Sequence, residues 1–256
     1  MINSAKQFIK QYWKLFMLFT VVGLFGGYFV NLYSFESIPE EMLREMLGQG
    51  FTETSLAVIG AIQSAGYGLI LGALGIVLAK KVGLWRDTLS FAKKPLLVTV
   101  IWAVIGGLFL ILSDLWFFGN FSEAIRQSYL VKPTIPYLLA TVTYGAIIEE
   151  VMLRLFMMSL IAFILHKIFE KGREEASVWI LVAANVIAAF LFAAGHLPAT
   201  AAMMELTPMI LFRCFLLNGG FGLLFGWLYR KYGLQYSIVA HGGCHVVSKL
   251  IWILFV

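Results

Sequence analysis

The chain has 256 residues, of which 61% are hydrophobic and 13% charged, with a formal net charge of +5 and a mean hydropathy of +0.88. A soluble domain of this size is nearer roughly 45–50% apolar and about 25% charged, so the composition excludes an ordinary soluble enzyme and implies an integral membrane protein. Apolar runs of about 20 residues mean helices rather than a barrel, and the excess positive charge reads as membrane topology, not nucleic-acid binding.

Seven runs are predicted as membrane helices: Leu15–Val30, Leu56–Ala79, Pro95–Phe118, Ile135–Phe169, Val178–Ala194, Met209–Leu228 and Leu234–Val256. Ahead of the first, Lys6, Lys10 and Lys14 with Tyr12 and Trp13 suggest an interfacial helix with an aromatic anchor. No small-residue cleavage site follows, so the first run reads as a retained helix rather than a signal peptide. The loop after it is acidic. Helix 2 carries Gly68-x-x-x-Gly72, a spacing that lets helices approach closely. The next loop is basic, with Lys80, Lys81, Arg86, Lys93 and Lys94.

Helix 3 ends at Asp114 in an aromatic belt, and helix 6 carries Arg213; the two are candidates for an ion pair. Basic loops alternate with acidic or neutral ones, which places the N-terminus and loops 80–94, 166–175 and 229–233 in the cytoplasm. Cys214 and Cys244 lie in apolar runs and make no disulfide framework. There is no internal repeat and no region outside the helices large enough for a second domain. The expectation is a single membrane domain, 1–256, an all-α polytopic bundle of about seven helices.

Helix 4 holds Glu149, Glu150 and Arg154 in the middle of its run. A charge at the bilayer centre costs roughly 2.5–3.5 kcal/mol on insertion scales, so such residues usually mark a site. Glu150 and Arg154 are four apart and share a face, whereas Glu149 is rotated from Glu150 by about 100°. This leaves one Glu held by an Arg and one free carboxylate, the candidate base.

At 35 residues, helix 4 is about 52 Å long against about 30 Å of hydrocarbon, so its far end should project as a hairpin with helix 5. Depth counted along the helices puts Glu149 about 10 Å from the cytoplasmic face, with His241 at a similar level. His196 joins them if helix 5 begins outside the bilayer. His166 reads as an interface residue.

His196, His241 and His245 all lie in helices of the C-terminal half. His241, His245 and Lys249 are successive i+4 positions on helix 7 and form one stripe. With Glu149, the three histidines make an N,N,N,O set able to bind a zinc-like metal or to polarise a water. The cofactor is open, with zinc the candidate and Glu149, His196, His241 and His245 its ligands if one binds. The bland alternative for the whole constellation is a buried ion-pair network that only fixes packing.

Glu149-Glu150-x-x-x-Arg154, Phe192-x-x-x-His196 and His241-x-x-x-His245 resemble the three signature motifs of the CPBP family, which comprises the type II CAAX prenyl proteases and the Abi, or bacteriocin-processing, proteins. The resemblance covers about residues 135–250, as the motif-bearing core. It implies an intramembrane endopeptidase with a glutamate-activated water. Glu149 would be the general base, with Glu150, Arg154 and Phe192 supporting the site and His196 and His241 orienting water and substrate. The third motif often ends in Asn and here ends in His245. A neutral His can also donate to an oxyanion, and His245 could equally complete a metal site.

The expected function is therefore peptide-bond cleavage in a cavity between helices 4, 5 and 7, near the cytoplasmic face. Glu149, His196, His241 and His245 are the catalytic candidates. The expected partners are the lipid bilayer and a peptide or small membrane-associated substrate, with no nucleic acid. The expected location is the cell membrane of a prokaryote, since the loops are short. Two other readings use the same residues: a non-catalytic immunity or partner-binding membrane protein, and a proton-coupled transporter. The absence of a repeat argues against the latter.

Overall fold

A computed structural model describes residues 2–48, 50–87 and 89–256. The apolar runs form helices, and among the described residues no strand occurs. In chain order they are α1 (Ile2–Ser37), α2 (Glu40–Gly48), α3 (Glu53–Lys81), α4 (Lys93–Trp116), α5 (Glu123–Ser128), α6 (135–169), α7 (Val178–Gly195), α8 (Leu197–Met203), α9 (Pro208–Tyr232) and α10 (Leu234–Phe255).

Six helices among the described residues are long and apolar enough to cross a membrane: α1, α3, α4, α7 with its extension α8, α9 and α10. The seventh rod, α6, runs unbroken for 35 residues and carries the charged motif. The spanning helices expose large apolar side chains such as Ile62, Leu97, Phe190 and Leu254. Such a surface suits lipid, which solvates an apolar face as well as a core does.

The loops sort to two ends. At one end the basic segments meet. The Tyr12 hydroxyl donates to Asp87, which also pairs with Lys80 at 3.2 Å. Arg86 donates to the Lys231 carbonyl, and Gln235 to that of Ser90. At the other end, Thr134 donates to Glu36, Lys132 to the Ile253 carbonyl, and the Trp252 indole to the Tyr129 carbonyl.

Three sequence expectations change here. The N-terminal segment is continuous with the first membrane helix, and Tyr12 is buried rather than an interfacial anchor. Its ring packs edge-on to Trp85, and its hydroxyl finds Asp87, so the tertiary partner outweighs the interface. His166 is also buried. Its ring nitrogens contact Glu170 and the Arg173 carbonyl, so it closes the α6–α7 turn instead of sitting at a membrane surface.

The third change concerns depth. Lys81, at the end of α3, lies over the Phe163 ring, so residues 164–169 extend beyond the neighbouring helix. Glu149 is then 14 residues, about 21 Å, from Phe163 and the same from residue 135. It sits in the middle of the bundle, not near the basic end.

Close helix approach follows from small residues. A Cβ on Gly75 would lie 2.7 Å from the Leu155 side chain, and one on Gly107 would lie 2.6 Å from Val247. Gly68 and Gly72 face Phe19 in the same way, which is the packing role their spacing suggests.

Candidate active site

α6 brings the two glutamates in between two stretches of widened, π-type turns, Thr141–Ile148 and Val151–Met158. Such turns interrupt the regular 3.6-residue pitch and are frequent at functional sites. Glu150 is fully buried and Glu149 only partly so.

Glu150 is the hub of the packed side. It forms an ion pair with Arg154 at 3.2 Å, and its Oε1 lies 2.9 Å from Nδ1 of His241. The Arg154 guanidinium sits 4.8 Å from the centre of the Phe192 ring and 5.6 Å from that of Phe225. Its terminal nitrogens have no hydrogen-bond acceptor among the described residues, and Glu150 Oε2 has no donor. Arg154 is therefore held by charge and by two aromatic faces.

The imidazoles are aligned from behind. Nδ1 of His196 lies 2.9 Å from the Phe192 carbonyl. A carbonyl only accepts, so Nδ1 carries the proton and Nε2 keeps its lone pair when the ring is neutral. The Glu150 carboxylate imposes the same tautomer on His241. His241 is stacked on Phe225 at 4.6 Å and lies 5.0 Å from the His245 ring. Phe192 meets His196 edge-on at 4.6 Å. His245 differs: its Nδ1 is buried without a partner among the described residues. An orphaned lone pair is less costly than an orphaned N–H, which puts the hydrogen on Nε2.

Glu149, His196, His241 and His245 line one cavity of about 660 Å³, together with Lys249. Glu149 makes no hydrogen bond or ion pair with another described residue. The sequence places Glu149 with His196 and His241 in one cavity; there His241 is hydrogen-bonded to the neighbouring Glu150. The cavity is wider than one between helices 4, 5 and 7. Val30 and Tyr33 of α1, Leu110 of α4 and Asn218 of α9 also line it. These residues, like His196 and Lys249, come from the helix halves remote from the basic loops. The cavity therefore occupies that half of the bundle, which corrects the expectation of a site near the basic, cytoplasm-assigned face.

The metal set does not assemble. No group of three or more His, Cys, Asp or Glu among the described residues is arranged to hold a metal ion. Nδ1 of His241 is bonded to Glu150 and Nδ1 of His196 to a carbonyl, which leaves Nε2 of each ring to the cavity.

Sequence reasoning missed Phe225 and Asn218. Asn218 is a lone amide in the apolar run of α9, a signal that could have been read; Phe225 is one aromatic among many there. The Asp114–Arg213 pair does form, bidentate at 2.6 Å and with the Tyr129 hydroxyl donating to Asp114 at 3.0 Å.

A family model described as type II CAAX prenyl endopeptidase Rce1-like matches residues 131–247. Residues 131–247 of the chain are similar to this family. No curated protein and no solved structure matches it. The matched segment contains all three motifs, from Glu149 to His245, and covers α6 to α9 and α10 as far as residue 247, the helices that supply most of the cavity wall. The match supports a CAAX-type intramembrane endopeptidase on a multi-pass helical bundle.

Proposed function

We propose that the chain hydrolyses a peptide bond within the membrane by a glutamate-activated water. The observation that carries this reading is a carboxylate unpaired among the described residues, Glu149, opening on the same cavity as three imidazoles, of which His196 and His241 are fixed from behind. Glu149 takes a proton from water as the water oxygen attacks the substrate carbonyl carbon. The water's other O–H donates to Nε2 of His196 or of His241, which aims it. The carbonyl oxygen becomes an oxyanion, to which the Nε2–H of His245 donates. Glu149 then returns the proton to the leaving amine as the C–N bond breaks. Glu150 and Arg154 touch no reacting atom in this scheme; they position His241 and Phe192.

The substrate is a peptide or a small membrane-associated protein. The basic loops favour a cytoplasmic N-terminus in a cell membrane, under the positive-inside rule.

The test is hydrolysis of a quenched fluorogenic peptide library by the purified chain in detergent, with Glu149→Gln as comparison. Loss of one general base is expected to lower the rate by about a hundredfold or more at unchanged melting temperature. Undiminished cleavage by Glu149→Gln would reject the mechanism. A wild-type protein that cleaves nothing in the library but binds its peptides would favour a non-catalytic binding role.

A further inference from the structure

Among the described residues, the charges along the cavity leave two without a hydrogen-bond or ion-pair partner. Arg213 lines the cavity but is matched by Asp114, and Arg154 is matched by Glu150. Glu149 remains, and so does Lys249. Lys249 is 8% exposed and lines the cavity. Its ammonium lies 4.7 Å from the Tyr137 ring centre and 5.8 Å from that of Trp252. It has no hydrogen bond and no ion pair with another described residue.

Aromatic faces stabilise an ammonium only in part, and three N–H donors in a low-dielectric wall call for an acceptor. Lys249 also lies just outside the segment that the family model matches, 131–247, so the family's motifs do not account for it.

We infer that Lys249 is a specificity-determining residue that binds a carboxylate of the substrate. The inference rests on the peptidase reading for what enters the cavity. Its geometry sets the register. On α10, Lys249 stands one turn beyond His245 and two beyond His241, a rise of about 6 and about 12 Å. An extended peptide advances about 3.3 Å per residue. The carboxylate therefore lies about two to four residues from the scissile bond. Both the α-carboxylate of a chain end and an Asp or Glu side chain provide this chemistry.

The test separates these sources and does not depend on turnover. Binding is measured by thermal stabilisation of the full-length Glu149→Gln protein in detergent. The probes are an apolar pentapeptide with a free C-terminus, its C-terminal amide, and amides carrying one Asp or one Asn at each position. The free acid, or one Asp amide, is expected to bind about tenfold to a hundredfold more tightly than its neutral counterpart, as charge-assisted hydrogen bonds do. Preference for the free acid identifies a chain end, and preference for one Asp amide identifies a side chain. The preference should vanish in Glu149→Gln/Lys249→Met and survive in Glu149→Gln/Lys249→Arg.

Equal preference with and without Lys249 overturns the inference, as does failure of every acidic probe to bind. Cleavage by the wild type with no carboxylate preference rejects only this assignment. A Lys249-dependent preference without cleavage by the wild type rejects only the peptidase reading.

Discussion

Glu149 and Glu150 are adjacent and chemically identical, yet their surroundings give them different uses. Glu150 is enclosed by Arg154 and His241, while Glu149 faces the cavity with no hydrogen-bond or ion-pair partner among the described residues. Removing the enclosed carboxylate should therefore affect stability before chemistry. Glu150→Ala leaves the Arg154 charge buried between two aromatic rings, and breaking a buried pair costs about 3–5 kcal/mol. A fall in melting temperature and in purified yield is expected, alongside lost activity. Glu150→Ala as stable as wild type would mean that Arg154 is satisfied by Phe192 and Phe225 alone.

The pairing itself was legible, because i+4 spacing puts Glu150 and Arg154 on one face whatever the fold. That His241 belongs to Glu150 was not legible. It depends on how α10 packs against α6, and no spacing within either helix reports this.

At the scale of elements, α6 overshoots its neighbours and is closed by a side-chain cluster at its far end. Glu170 accepts from the Ser177 N–H at 3.0 Å, contacts His166 at 3.1 Å and lies near Arg173. The hydroxyl and N–H of Ser177, then His166 and Arg173, hold the Glu170 carboxyl down at about 2. Its folded-state value is thus below the ordinary carboxylate range near 4.3. The sign follows: the contribution to stability is present above about pH 4.5 and is lost as the pH falls toward 2.

The α6–α7 turn should become protease-sensitive over that window, and Glu170→Gln should make it sensitive already at pH 7. Limited proteolysis with acid-active and neutral proteases measures both; an unchanged cleavage pattern in Glu170→Gln would remove the cluster's role. The hairpin's existence was legible from helix length alone. Its closure was not, since His166 in a basic helix end resembles an interface residue until Glu170 and Arg173 are folded back on it.

For the whole molecule, length and hydropathy sufficed to give a helical membrane bundle, but not the half of it that holds the cavity. Counting residues inward from a membrane face assumes that each helix starts at that face, and α6 does not. The cavity reaches Val30, Met203 and Lys249, all remote from the basic loops, whereas Lys171 lies in one of them. If basic loops are cytoplasmic, the substrate enters from the other side or from the bilayer half next to it.

Cysteine labelling in intact cells decides this, because the native Cys214 and Cys244 are both buried. A membrane-impermeant maleimide should label Met203→Cys in intact cells and Lys171→Cys only after permeabilisation. Bulky modification at Met203→Cys should also block cleavage, since that side chain lines the cavity. Labelling of both cysteines from one side would show that the cavity and the basic loops share a compartment. The helix ends would then have to be reassigned, since Lys171 and Met203 flank the two ends of the single span formed by α7 and α8.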